Sequence, residues 1–202
     1  MSDLSFRMRA RRMATAAAAA AVLLLAGCSN SLPESAGNDT LPSPTKDSST
    51  LRNGTTSPGT ELDIGRTAVV RYRANPRHDS RISLTVTKVR EGKIKDLKRF
   101  NLNAPARRST VYYVSARVRN TGTGDLSRQP ITLYGKVSDK LVVPPVEFGT
   151  TFGRCDHEPL PEKFGKGDRA RVCMVMLAPR HGKIREVHWR PGKPEPIAWT
   201  VR

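Results

Sequence analysis

Two groups of residues in this 202-residue chain have types and spacings suited to chemistry. The first is Leu25-Ala26-Gly27-Cys28. A cysteine directly after small residues, behind an apolar run, matches the bacterial lipobox. There the sulfur receives a diacylglycerol and the chain is cut just before the cysteine. The second group is Cys155-Asp156-His157-Glu158, with Cys173-Met174 downstream. Two cysteines left over in an exported chain most simply form one disulfide. The same stretch also offers sulfur and imidazole ligands that suit copper or zinc, although Cys-x-His with a distant Cys is not a standard ligand spacing.

The elements around the first motif agree with it. Arg7, Arg9, Arg11 and Arg12 form a basic start, and Ala14 to Ala26 form an apolar run too short for an ordinary membrane-spanning helix. Residues 1–27 therefore read as a lipoprotein signal peptide, with Cys28 lipidated and the mature chain held on the outer face of the cell membrane. Arg11-Arg12 raises the twin-arginine export route. Met13-Ala14-Thr15 lacks the fuller pattern, which favours general secretion. From Ser29 to Thr60 the only aliphatic side chains larger than Ala are Leu32, Leu41 and Leu51. Such a segment buries too little apolar surface to offset its ordering entropy. Residues 28–60 are expected to form a disordered tether, with a reach on the order of 30 Å.

Charge is partitioned unevenly. The tether carries Lys46 and Arg52 against Glu34, Asp39 and Asp47, whereas residues 61–202 carry 29 Lys or Arg against 14 Asp or Glu. A domain this basic is drawn to polyanions. Its expected compartment selects among them: anionic lipid or acidic wall polymer is present there, and nucleic acid normally is not.

Residues 61–202 show period-two alternation in short runs separated by Gly, Pro, Asn and Asp. Val70 and Tyr72 alternate with Arg71 and Arg73, and Ile82, Leu84 and Val86 with Ser83 and Thr85. Tyr112, Val114, Ala116 and Val118 take one face of the clearest run, with Arg117 and Arg119 on the other. Further runs follow at Ile131 to Val137, Leu141 to Val143, Arg169 to Leu177, Ile184 to Trp189 and Ile197 to Val201. Many short strands and little helix predict an antiparallel β-sandwich, with a small closed barrel as the alternative. If the strands bearing Arg71, Arg73, Arg117 and Arg119 share a sheet, four guanidinium groups share its exterior face. Arginine suits bidentate capture of phosphate or carboxylate.

With these residues placed, the chain resembles actinobacterial lipoproteins that carry an immunoglobulin-like sandwich. The resemblance rests on the lipobox, the Ser/Thr/Pro tether and the run Tyr112 to Gly122, with its V-x-N-x-G ending. It also rests on Cys155, Leu160-Pro161, Phe164, Gly165-Lys166-Gly167, Cys173 and Trp199 to Val201. It covers most of residues 62–202. The resemblance implies an immunoglobulin-like fold at the cell surface and brings no catalytic residues with it.

The sequence itself points away from an enzyme. His78, His157, His181 and His188 lie near no nucleophile-elbow pattern, and no paired-carboxylate or Gly-rich phosphate motif is present. No cofactor is expected. Two function classes follow: an interaction module that contacts anionic envelope components or a protein partner, and a small-molecule or metal carrier with a site near Cys155 to Phe164. A pocket with convergent polar groups would favour the second.

Overall fold

Strands form where alternation is cleanest. The computed structural model describes residues 50–155, 157–192 and 194–202. The signal peptide, Cys28 and the tether as far as residue 49 lie outside the described residues. Among the described residues the strands are β1 (Glu61–Asp63), β2 (Thr67–Asn75), β3 (His78–Gly92), β4 (Thr110–Asn120), β5 (Tyr134–Ser138), β6 (Leu141–Val143), β7 (Arg169–Ala178), β8 (Glu186–Trp189) and β9 (Ile197–Thr200). They build two sheets, in the order β1-β9-β8-β5-β6 and β2-β3-β4-β7. Every pairing is antiparallel except β1 with β9. Strand β4 pairs with β7, while the intervening β5 and β6 belong to the opposite sheet. That exchange between layers makes the immunoglobulin-like sandwich.

The two inner faces supply the core. Val70 and Tyr72 of β2, Leu84 of β3, Val114 and Val118 of β4 and Met174 of β7 are buried in one cluster with Val187, Trp189, Ile197 and Trp199 of the facing sheet. Two of the aromatics carry polar atoms inward that are satisfied, whereas the buried Trp189 indole N–H has no partner among the described residues. The Tyr72 hydroxyl donates to the Pro130 carbonyl at 3.0 Å, and the Trp199 indole to the Arg66 carbonyl at 2.8 Å. Ile131 and Leu133 are fully buried but precede β5 rather than belonging to it.

A second cluster sits on the outer side of the four-stranded sheet. It joins Leu97, Val111, Tyr113, Phe152, Cys155 and Val175. Phe148 and Phe152 lie within 5.5 Å of one another and of Phe100, as a small aromatic roof.

One boundary needs correction. The segment from Thr50 to Thr60, assigned by composition to the tether, belongs to the fold. Thr55 and Thr56 are buried. Thr56 N–H donates to the Val69 carbonyl at 2.7 Å, Val69 N–H to Thr56 Oγ1, and Gly59 N–H to the Pro196 carbonyl. This stretch is ordered by backbone hydrogen bonds along the free edge of β2. Apolar content does not report such bonds.

The V-x-N-x-G ending has a structural explanation. Asn120 is fully buried. Its amide donates to the Gly124 carbonyl at 2.8 Å and to the Phe164 carbonyl at 3.0 Å, while its oxygen accepts from Ser80 Oγ at 2.8 Å and from Gly122 N–H at 3.2 Å. Gly122 and Gly124 lie against β3. A Cβ on Gly124 would stand 2.0 Å from the Asp79 carbonyl oxygen, and one on Gly122 would stand 2.6 Å from the Arg81 nitrogen. Asn120→Ala leaves the buried Ser80 hydroxyl, the buried Phe164 carbonyl and the half-buried Gly124 carbonyl without this partner. We expect a loss of about 3 kcal/mol or more in denaturant unfolding. A loss below about 1 kcal/mol would show that the knot is not structural.

Candidate anion-binding face

Alternation along β2 and β4 sends Arg71, Arg73, Arg117 and Arg119 outward, and all four are exposed. Both strands lie in the four-stranded sheet, separated by β3. The four guanidinium groups therefore project from one exterior face. They fall into two unlike pairs.

Arg71 and Arg73 are compensated. Both contact Asp79 of β3, Arg71 through two hydrogen bonds of 2.9 and 2.6 Å and Arg73 at 3.4 Å. The hydrogen bond from Arg71 holds the Asp79 carboxyl below its ordinary value, helped by the charges of Arg71 and Arg73. Arg117 and Arg119 have no ion-pair partner among the described residues. Instead, each faces another arginine across the β4–β7 ladder: Arg117 opposite Arg171, and Arg119 opposite Arg169. Arg169 and Arg171 are likewise exposed and without a carboxylate partner among the described residues. On the neighbouring strand, Ser83 is in register with Arg119 and Thr85 with Arg117. Arg81 stands opposite Arg71 and donates to the Asn53 carbonyl at 3.0 Å.

Arg169, Arg171 and Arg81 are the site residues that sequence reasoning missed. The alternation of Arg169 and Arg171 with Ala170 and Val172 was a usable signal for facing. The register that opposes them to Arg119 and Arg117 was not visible.

The opposite end of the same face is closed. Cys155 and Cys173 form a disulfide with Cα atoms 5.0 Å apart, within bridging range. It fastens the loop that bears Phe148 and Phe152 over the Tyr113 and Val175 end of the sheet. Closing a loop with a sequence separation of 18 contributes roughly 3 kcal/mol. Both sulfurs are taken by this bond, so neither is free as a thiolate ligand. Met174 is buried on the inner face, away from Cys173. His157 is bonded through Nε2 to the Ile131 carbonyl at 3.1 Å. Among the described residues, no three His, Cys, Asp or Glu side chains gather as a metal site; Asp156 lies outside them.

A cavity of about 610 Å³ lies beside the roof, bordered by Phe148, Phe152, His157 and Glu158. The other sheet carries its own charged group. Lys136 bridges Glu186 at 2.9 Å and Asp139 at 3.2 Å, and His188 Nε2 meets Glu186 at 2.7 Å. Burial works to raise the Glu186 carboxyl, but the bonds from His188 and Lys136 outweigh it and leave the group below its ordinary value. The carboxylates Glu61, Asp63 and Glu186 thus sit on the five-stranded sheet, away from the arginine ladder.

Like charges directly opposite one another in an antiparallel pair are destabilising by roughly 0.2–1 kcal/mol. We therefore expect Arg171→Thr, which keeps β propensity and removes one charge from a rung, to raise stability by up to about 1 kcal/mol. The gain should shrink as salt rises, because these side chains are exposed. Thermal or denaturant unfolding at two ionic strengths checks this; a loss of stability would mean that Arg171 is held by compensating contacts.

Comparison of the chain with protein-family models, curated proteins and solved structures finds no match in any of the three.

Proposed function

We propose that this protein is a lipid-anchored extracytoplasmic interaction module that contacts an anionic envelope component through the arginine face of its sandwich. The observation that carries the reading is the pair of opposed rungs, Arg117 with Arg171 and Arg119 with Arg169, with no carboxylate partner among the described residues. A fold that places four guanidinium groups in repelling positions, with Asp79 of the same sheet already engaged by Arg71 and Arg73, leaves them an anion from outside as counter-charge. Arginine in place of lysine suits bidentate phosphate or carboxylate. The lipobox at Cys28 and the resemblance to actinobacterial lipoproteins support the outer face of the cell membrane as the location, with the segment from Cys28 to Thr50 as the connection. A protein partner presenting an acidic surface is served by the same chemistry. A second reading, a small-molecule carrier, is favoured by the cavity bordered by Phe148 and Phe152. Its His157 is already engaged by a backbone carbonyl, which leaves it fewer free polar groups.

The nine strands and two apolar clusters of the described residues lie after Pro42, where the compact unit begins, so the chain from Pro42 carries its own core. This soluble form should be retained by anionic vesicles, polyglutamate or a phosphodiester polymer at low salt and released as salt rises. Arg117, Arg119, Arg169 and Arg171 changed together to Ser should abolish retention while the domain stays folded. Retention of the quadruple variant equal to the parent, or none by the parent on any of the three, overturns the reading.

Anchoring is tested separately on the full chain. Cys28→Ala removes the sulfur that would be acylated, and stable anchoring takes two acyl chains or an equivalent second signal. The variant should leave the membrane fraction and lose acyl label. Unchanged fractionation and labelling would refute a lipid anchor at Cys28.

A further inference from the structure

The arginine face is not uniform, and its uncompensated half has a shape. A cavity of about 410 Å³ is lined by Ser83, Thr85 and the four arginines of β4 and β7. A second, of about 360 Å³, is lined by Thr87, Ser115 and Cys173 together with Arg117 and Arg171. The two share the Arg117–Arg171 rung, so the depression runs along the strands rather than across them. Its charges lie on β4 and β7, and hydroxyls from Ser83, Thr85, Thr87 and Ser115 line it. Large exposed apolar side chains are confined, among the described residues, to Leu51 and Leu141, and neither lies in this depression. No aromatic ring borders either cavity. Insertion into acyl chains and stacking on bases or sugar rings both lack the side chains they need.

Successive rungs are two residues apart along a strand, hence roughly 6.4–6.8 Å. An extended backbone spans about 3.3–3.6 Å for every three bonds. A linear phosphodiester with three carbons between successive phosphates has six bonds per repeat, and so repeats at roughly 6.6–7.2 Å. The two spacings agree. Each opposed arginine pair can close on one phosphate, which meets the bidentate geometry of both guanidinium groups and cancels their mutual repulsion.

Building on the reading of this face as an anion site, we propose that the β4–β7 depression binds a linear polyol-phosphate chain laid along the strands, one phosphate per arginine rung. Adjacent rungs at Arg119–Arg169 and Arg117–Arg171 engage consecutive phosphates. Arg71 and Arg73, held by Asp79, stay outside the contact.

The experiment uses the chain from Pro42 with synthetic glycerol phosphate oligomers of one, two and four phosphates, polyglutamate of matched charge, and phosphatidylglycerol vesicles. Affinity should rise steeply from one phosphate to two and little thereafter, and should exceed that for polyglutamate by at least about tenfold at equal salt. Arg117→Ser with Arg171→Ser, or Arg119→Ser with Arg169→Ser, should each weaken the two-phosphate oligomer by about thirtyfold. Arg71→Ser with Arg73→Ser should change it less than about threefold. Melting temperatures at or above the parent's show that the rung variants remain folded. Equal binding of polyglutamate, or binding to vesicles but not to oligomers, overturns the phosphodiester assignment and leaves the anionic face standing. Binding to none of the probes overturns both.

Discussion

The buried amide of Asn120 is the constraint on which the rest of this sandwich depends. It closes β4 at the point where four separate segments converge: β3 through Ser80, the following turn through Gly122 and Gly124, the 160s loop through Phe164, and the start of β7. Its backbone joins the same knot, donating to the Asp168 carbonyl and accepting from Gly167 N–H. A buried amide offers two donors and an acceptor with two lone pairs. All are used here, so a slip in register would strand polar groups in a dry site. Leaving such groups unpaired costs far more than each bond contributes on its own. The register of β4 against both β3 and β7 is pinned from this end, and the positions of the outward arginines follow from it.

That dependence links fold to function. With Asn120 fixed, Arg119 and Arg117 fall one and three residues before the knot, opposite Arg169 and Arg171. Any one-residue shift of β7 would turn its arginines into the core and Val172 out to solvent. The hydrophobic pattern of β7 forbids the shift, so the repulsion between rungs cannot be relieved by sliding. The other end of the same outer face takes the opposite course. There the disulfide and the aromatic roof cover Tyr113 and Val175, and Arg90 lies over the Tyr113 ring at 4.5 Å. One sheet surface is thus apolar and covered at one end, charged and bare at the other.

Much of this was legible in the sequence, for identifiable reasons. Strand faces are a local property with period two, so the outward direction of Arg71, Arg73, Arg117 and Arg119 could be read directly. So could the β-sandwich class and the pairing of Cys155 with Cys173. Partners across strands are not local. Asp79 is eight residues from Arg71, and nothing in the sequence says that a hairpin brings them together. Arg171 is more than fifty residues from Arg117, and only the exchange of β5 and β6 into the facing sheet makes β7 the neighbour of β4. β1 escaped notice because its three residues, Glu61, Leu62 and Asp63, are too few to show a period, although Leu62 is buried beside Trp199 in register. That the fold already includes Thr50 to Thr60 was hidden by composition, since hydrogen bonds to Val69 and Pro196 order this stretch with little apolar surface.

That stretch bears on how the proposed anchor and the arginine face work together. The described chain starts at Thr50, runs along the free edge of β2, and is held at Asn53 by Arg81 on the outer side of the four-stranded sheet. The Asn53 carbonyl, Arg71, Arg81 and Lys166 border one cavity of about 450 Å³ at that corner. The described chain therefore starts beside the rim of the arginine-bearing face. On the proposed reading Cys28 carries the anchor, and the described part of the chain begins at this rim. The compensated pair Arg71 and Arg73 lies next to this rim, and the uncompensated rungs lie two strands beyond it. An external counter-charge is, on that reading, needed only where the fold has left none of its own.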